Sequence, residues 1–139
     1  DRMMVVITES TAMGDVRATA PILVELHRRG LRVALDVFGT GLSSLSRLNQ
    51  MQVTTLKIDR AFICDLPGDE NAAILVNSII QLANNLGLQP LAEGIETEAQ
   101  RDFLSAHGCR LGQGFLYSRP VPAADMVQVF HSLNGRAAA

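Results

Sequence analysis

The chain repeats one rhythm: a short apolar run, a polar loop, then a stretch with apolar residues at helical spacing. Met3–Thr8 is the first apolar run and predicts a strand. A helix follows, entered at Thr19 with Pro21 in its first turn and closed by Gly30. Val33–Asp36 predicts the second strand, Ser43–Leu48 a short helix, and Thr54–Ile58 the third strand. Between Asp69 and Leu86 the residues Ala72, Leu75, Val76, Ile79, Ala83 and Leu86 share one helical face, and Gly87 supplies the stop. Pro90–Glu93 predicts a fourth strand. Thr97 and Gln100 form a capping box for the next helix, which ends at Gly108. Arg110–Phe115 predicts a fifth strand or a remnant of one. Pro122 opens a last helix that turns Met126, Val127, Phe130 and Leu133 to the core.

Alternating strands and helices imply a parallel sheet with right-handed crossovers. Five such units fit an open doubly wound sheet or part of a barrel. The strand ends favour the barrel: Asp36, Asp59 and Glu93 sit at or just past carboxyl ends, which converge on the active face of a barrel. Ala34 and Asp36 share one strand face, while Val33 and Leu35 take the other. Lys57 points away from Leu56 and Ile58, into the barrel, where an unpaired ammonium is costly. Asp36 and Glu93 are its available partners, as a structural ion pair or as part of a reactive site. Gly39 and Gly41 flank Thr40 in the loop after Asp36; their amides suit a phosphate cradle, and a plain turn is the alternative. Asp59 and Arg60 suggest a loop ion pair.

Composition narrows the function classes. The formal net charge is −2, so no basic field invites DNA, RNA or an anionic membrane. Apolar residues make up 47% of the chain, as in an ordinary globular core. No apolar run reaches the roughly 18 residues of a spanning helix, and no signal peptide opens the chain. Cys64 and Cys109 lack paired spacing and fit reduced thiols in a cytoplasmic protein. His27, His107 and His131 lie on predicted helices without ligand spacing.

Several motifs occur in order: Ile7-Thr8-Glu9-Ser10, Asp36-Val37-Phe38-Gly39-Thr40-Gly41, Leu56-Lys57-Ile58-Asp59-Arg60, Ala92-Glu93-Gly94-Ile95-Glu96-Thr97, Gln113-Gly114-Phe115 and Ser118-Arg119-Pro120. Together they resemble the EAL domain, the bacterial cyclic-di-GMP phosphodiesterase module, over nearly the whole chain. The resemblance implies a modified TIM-type (β/α) barrel of which this chain supplies the last five strand–helix units. It implies a partial EAL domain at residues 1–134, with 135–139 an alanine-rich tail. It further implies metal-assisted phosphodiester hydrolysis on two divalent cations, Mg²⁺ or Mn²⁺, held by carboxylates.

Carried over by the resemblance, Asp36 and Glu93 are metal ligands, Lys57 activates the attacking water, and Gln113 lies near that water. Glu9 steadies the loop after the aspartates, Gly39, Thr40 and Gly41 belong to that loop, and Glu96 sits at the ligand's edge. Val37 stands where the family has a second aspartate, and Val6 where it has a glutamate ligand. The EAL motif and an asparagine strand would precede Asp1. Of six family ligands, Asp36 and Glu93 remain in these 139 residues. The expectation is a degenerate EAL domain in cyclic-di-GMP signalling, catalytically inactive, with a regulatory or ligand-binding role and weak cyclic-di-GMP contact. One alternative is an active phosphodiesterase completed by missing strands; another is an interaction scaffold without a nucleotide. A TIM-type barrel needs roughly 250 residues. Open sheet edges therefore predict self-association or further domains of a longer protein.

Overall fold

The computed structural model describes residues 3–37 and 51–136. Its centre is a five-stranded parallel sheet in sequential order: β1 (Met4–Thr8), β2 (Arg32–Val37), β3 (Thr55–Ile58), β4 (Gln89–Glu93) and β5 (Leu111–Gln113). Helices α1 (Glu9–Gly14) and α2 (Val16–Arg28) link β1 to β2. Helices α3 (Arg60–Ile63) and α4 (Glu70–Asn85) link β3 to β4, and α5 (Glu98–Ala106) links β4 to β5. A 3-10 turn (Ala123–Asp125) leads into α6 (Met126–Arg136). Sequential parallel order is what repeated right-handed crossovers produce, and it is the order of a barrel wall. The short helix expected at Ser43–Leu48 lies outside the described residues.

Strand registry sorts the side chains onto two faces. Val33, Leu35, Leu56, Ile58 and Ala92 point to the helices and are buried against Leu23 of α2, Val76, Ile80 and Ala83 of α4, and Leu104 of α5. The opposite face carries Val6, Thr8, Ala34, Asp36, Thr55, Lys57, Glu93 and Gln113 in matching registry. The core thus lies on the helix side, and the polar side chains gather on the other.

Helix ends follow local chemistry. Asp69 Oδ1 caps α4 by accepting from Ala72 N at 2.7 Å. At α5 the capping box forms as expected: Thr97 Oγ1 accepts from Gln100 N, and Gln100 returns a bond to Thr97 N.

Three expectations need correction. Helix α2 begins at Val16, not Thr19, because the carboxylate of Asp15 accepts from both Arg17 N and Ala18 N. Pro21 therefore lies inside the helix; it and Arg17, whose carbonyl loses its helical partner, are both exposed to water. Leu75 is exposed on α4, and Ile80 takes the buried place beside Val76 and Ile79. Met126, Val127 and Phe130 are exposed rather than in the core. Among the described residues, no helix is long and apolar enough to cross a membrane.

Candidate active site at the carboxyl ends of the strands

Registry brings the acids and the lysine together. Asp36 is paired directly with Lys57 across β2 and β3, and Glu93 with Gln113 across β4 and β5. Lys57 Nζ lies 2.5 Å from Glu93 Oε1 and 3.8 Å from Asp36 Oδ2. Gln113 Nε2 donates to the same Glu93 oxygen at 2.7 Å. Lys57 is only 8% exposed. Its ammonium has lost most of its water, and two carboxylates plus the sheet's open face compensate for that loss. The cluster keeps one formal negative charge. Asp36 Oδ1 is buried and has no hydrogen-bond partner among the described residues. An acceptor in that state is costly unless something donates to it or a cation sits on it.

The donor set tests the fit of a metal. Both carboxylates already face Lys57, and Asp36 Oδ1 is the one buried oxygen left over. Among the described residues no three His, Cys, Asp or Glu side chains converge as a metal-holding group. These residues suit at most one hard cation that completes its shell with water and ligand oxygens. They do not suit a two-metal centre.

Val6 is on the same sheet face, in registry with Ala34 and two residues before the Thr8–Asp36 pair. It is 48% exposed, so an isopropyl group lines the face beside the charged cluster. Val37 ends β2 in registry with Ile58. Glu9 is the first residue of α1 and is half-buried. Gly39, Thr40 and Gly41 lie outside the described residues.

The expected Asp59–Arg60 pair does not form. Asp59 Oδ1 instead caps α3 by accepting from Ala61 N at 2.7 Å. Arg60 reaches across to Glu96, with Nη2 2.8 Å from Oε1. Its aliphatic stem lies over Gly94, where the backbone turns with φ +73 and no Cβ fits. Beside this pair an open cleft of about 520 Å³ includes Glu96, Gln113, Phe115 and Arg119 in its wall. The Arg119 guanidinium carbon sits 4.7 Å above the centre of the Phe115 ring. Only the Gln-Gly-Phe and Ser-Arg-Pro spacing points to Phe115 and Arg119 in the sequence, and the capping box accounts for Gln100 there without its second set of partners.

A parallel barrel wall with acids, a lysine and a glutamine at its strand ends is the framework of a TIM-type barrel. The chain belongs to the EAL domain family, whose profile matches residues 1–120. It is 46% identical over 121 residues to MucR of Pseudomonas aeruginosa, a bifunctional diguanylate cyclase/cyclic di-GMP phosphodiesterase. That match covers 87% of this chain and 18% of MucR. It is 40% identical over 120 residues to the cyclic di-GMP phosphodiesterase NbdA of the same organism, covering 86% of this chain and 15% of NbdA. The chain thus spans under a fifth of the length of either relative. Among solved structures, the MucR phosphodiesterase in complex with c-di-GMP superposes with a TM-score of 0.80 at 46% identity, over 88% of this chain and 50% of that one. The EAL domain of Mycobacterium smegmatis DcpA gives 0.83 at 42% identity, over 93% and 58%. A manganese/cy-diGMP complex of BlrP1 from Klebsiella pneumoniae gives 0.73 at 32% identity, over 84% and 30%.

Proposed function

We propose that this chain is a degenerate EAL domain portion that takes part in cyclic-di-GMP signalling in the cytoplasm as a regulatory or ligand-binding module, without hydrolysing the nucleotide. The observation that carries this is Val6. It faces the same side as Asp36, Lys57 and Glu93 and cannot coordinate a cation, and the motif resemblance puts an acidic ligand at its position. Val37 at the next family position removes a second carboxylate. A divalent cation would polarise a phosphoryl oxygen and supply a nucleophilic water; here Asp36 and Glu93 would hold one such ion loosely. What these residues do without it is narrower. Lys57 offers a positive charge to a phosphate, Gln113 orients Glu93, and the Phe115 ring and Glu96 border the adjacent cleft.

The test is an assay of the 139-residue chain with cyclic di-GMP and excess Mg²⁺ or Mn²⁺. No linear dinucleotide is expected above the level of an Asp36→Ala control. Turnover that disappears in Asp36→Ala overturns the proposal. Val6→Glu with Val37→Asp is expected to leave these residues inactive, because four family ligand positions then become occupied and two still have no counterpart here.

A further inference from the structure

The segment after β4 is held from two directions. Ile95 N donates to Gln113 O at 3.1 Å, and Leu116 N to Ile95 O at 3.0 Å, which fixes the segment to β5. On the other side stands Gln100, 5% exposed, with its amide fully engaged. Its Oε1 accepts from Glu96 N at 2.8 Å and Thr97 N at 3.0 Å. Its Nε2 donates to the carbonyls of Ile63 at 3.1 Å and Cys64 at 3.4 Å, at the end of α3. Helix α3 begins three residues after Lys57, and Glu96 stands three residues after Glu93. One buried side chain therefore ties together the segments that leave the two strands bearing Lys57 and Glu93.

We propose that Gln100 is a positioning residue for the Lys57–Glu93 pair. It touches neither residue and acts through the backbone of both segments. A plain helix cap needs only the Oε1 half of the amide. The Nε2 half, spent on carbonyls 37 and 36 residues away in sequence, serves to hold one strand end against the other. This inference concerns the geometry of the pair and does not depend on the nucleotide.

Lys57 is the sole lysine in the chain, so its ε-amine has only the α-amine to be told apart from. The experiment is amine acylation under native conditions, followed by peptide mapping that scores Lys57 separately from the N-terminal peptide. Gln100→Glu keeps the acceptor toward Glu96 and Thr97 and loses the donor toward Ile63 and Cys64. Gln100→Leu loses both. Ile80→Val, in the buried face of α4, serves as a control that lowers stability while leaving the Gln100 amide and its four hydrogen bonds in place. Lys57 in the unaltered chain is expected to react slowly. Both Gln100 variants should react at least roughly tenfold faster, Gln100→Glu through the loss of two hydrogen bonds and Gln100→Leu through the loss of all four, with Ile80→Val close to the unaltered chain. An unchanged rate in Gln100→Glu, or an equal rise in Ile80→Val, overturns the proposal. Should neither Gln100 variant fold, exchange of the Gln100 side-chain amide protons in the unaltered protein decides: slow exchange supports the tie, and exchange at the rate of an exposed glutamine overturns it.

Discussion

Lys57 and Glu93, from neighbouring strands β3 and β4, meet with Nζ 2.5 Å from Oε1, and Gln113 shares that same oxygen. Asp36 approaches Lys57 from the opposite strand at 3.8 Å. The lone cation of the cluster is therefore already claimed by two acids before any phosphate arrives.

That arrangement predicts weak nucleotide binding. Asp36 and Glu93 each oppose a phosphate by about 1 kcal/mol at short range in a partly wet site. Calorimetry with cyclic di-GMP is expected to give a Kd in the tens of micromolar or poorer, equivalent to less than about 7 kcal/mol. Mg²⁺ should strengthen binding, since Asp36 and Glu93 would share such an ion with the phosphate. Submicromolar binding without metal is the outcome that counts against this.

Assembly offers a second prediction. Strands β1 and β5 each have one neighbour among the described residues, so each leaves a row of backbone donors and acceptors open. The 139-residue chain is expected to form dimers or larger species, measured by light scattering at micromolar concentration. A monomer that melts cooperatively contradicts it.

Gly94→Ala tests the turn that aims Glu93. The φ of +73 and the overlap of a new Cβ with the Arg60 stem together should cost about 1–3 kcal/mol in urea unfolding. Adding Arg60→Ala should return the steric part and leave the backbone part, a non-additive pair in a double-mutant cycle.

Alkaline pH should weaken the fold through Cys109. Burial pushes its thiol above the ordinary value, with backbone hydrogen bonding at Ala92 and Leu111 working the other way. The unfolded thiol thus ionises first, near about pH 8.5, while the folded one still holds its proton. Stability is level below that pH and falls as pH rises toward the folded value, by up to about 1.4 kcal/mol per unit. Tyr117, also raised by burial, adds to the fall at higher pH. Cys109→Ala should remove the first part of the decline in urea midpoint against pH, and a curve unchanged by the substitution refutes the assignment.

Local rules made much of this molecule legible. The face of α4, the Thr97–Gln100 box and the inward phase of Asp36 and Lys57 all depend on residues within a few positions of one another. Long-range choices were not legible. Asp15 captured two amides and drew Pro21 into α2. Arg60 has acids on both sides in sequence space and selected Glu96 because the turn at Gly94 brings it within reach. The apolar residues of α6 have a helical period, yet no local pattern reveals that Met126, Val127 and Phe130 stay exposed. Nor does a capping box disclose that the far end of Gln100 reaches Ile63.

The pairing of Asp36 with Lys57 has a consequence for how the sheet finds its alignment. Side chains alternate along a strand, so sliding β3 by one residue turns the ammonium toward Leu35, Val76 and Ile80. There it would meet no carboxylate, at a penalty of several kcal/mol. The single lysine thereby marks the register: the alignment that gathers the two acids lies well below one shifted by a residue.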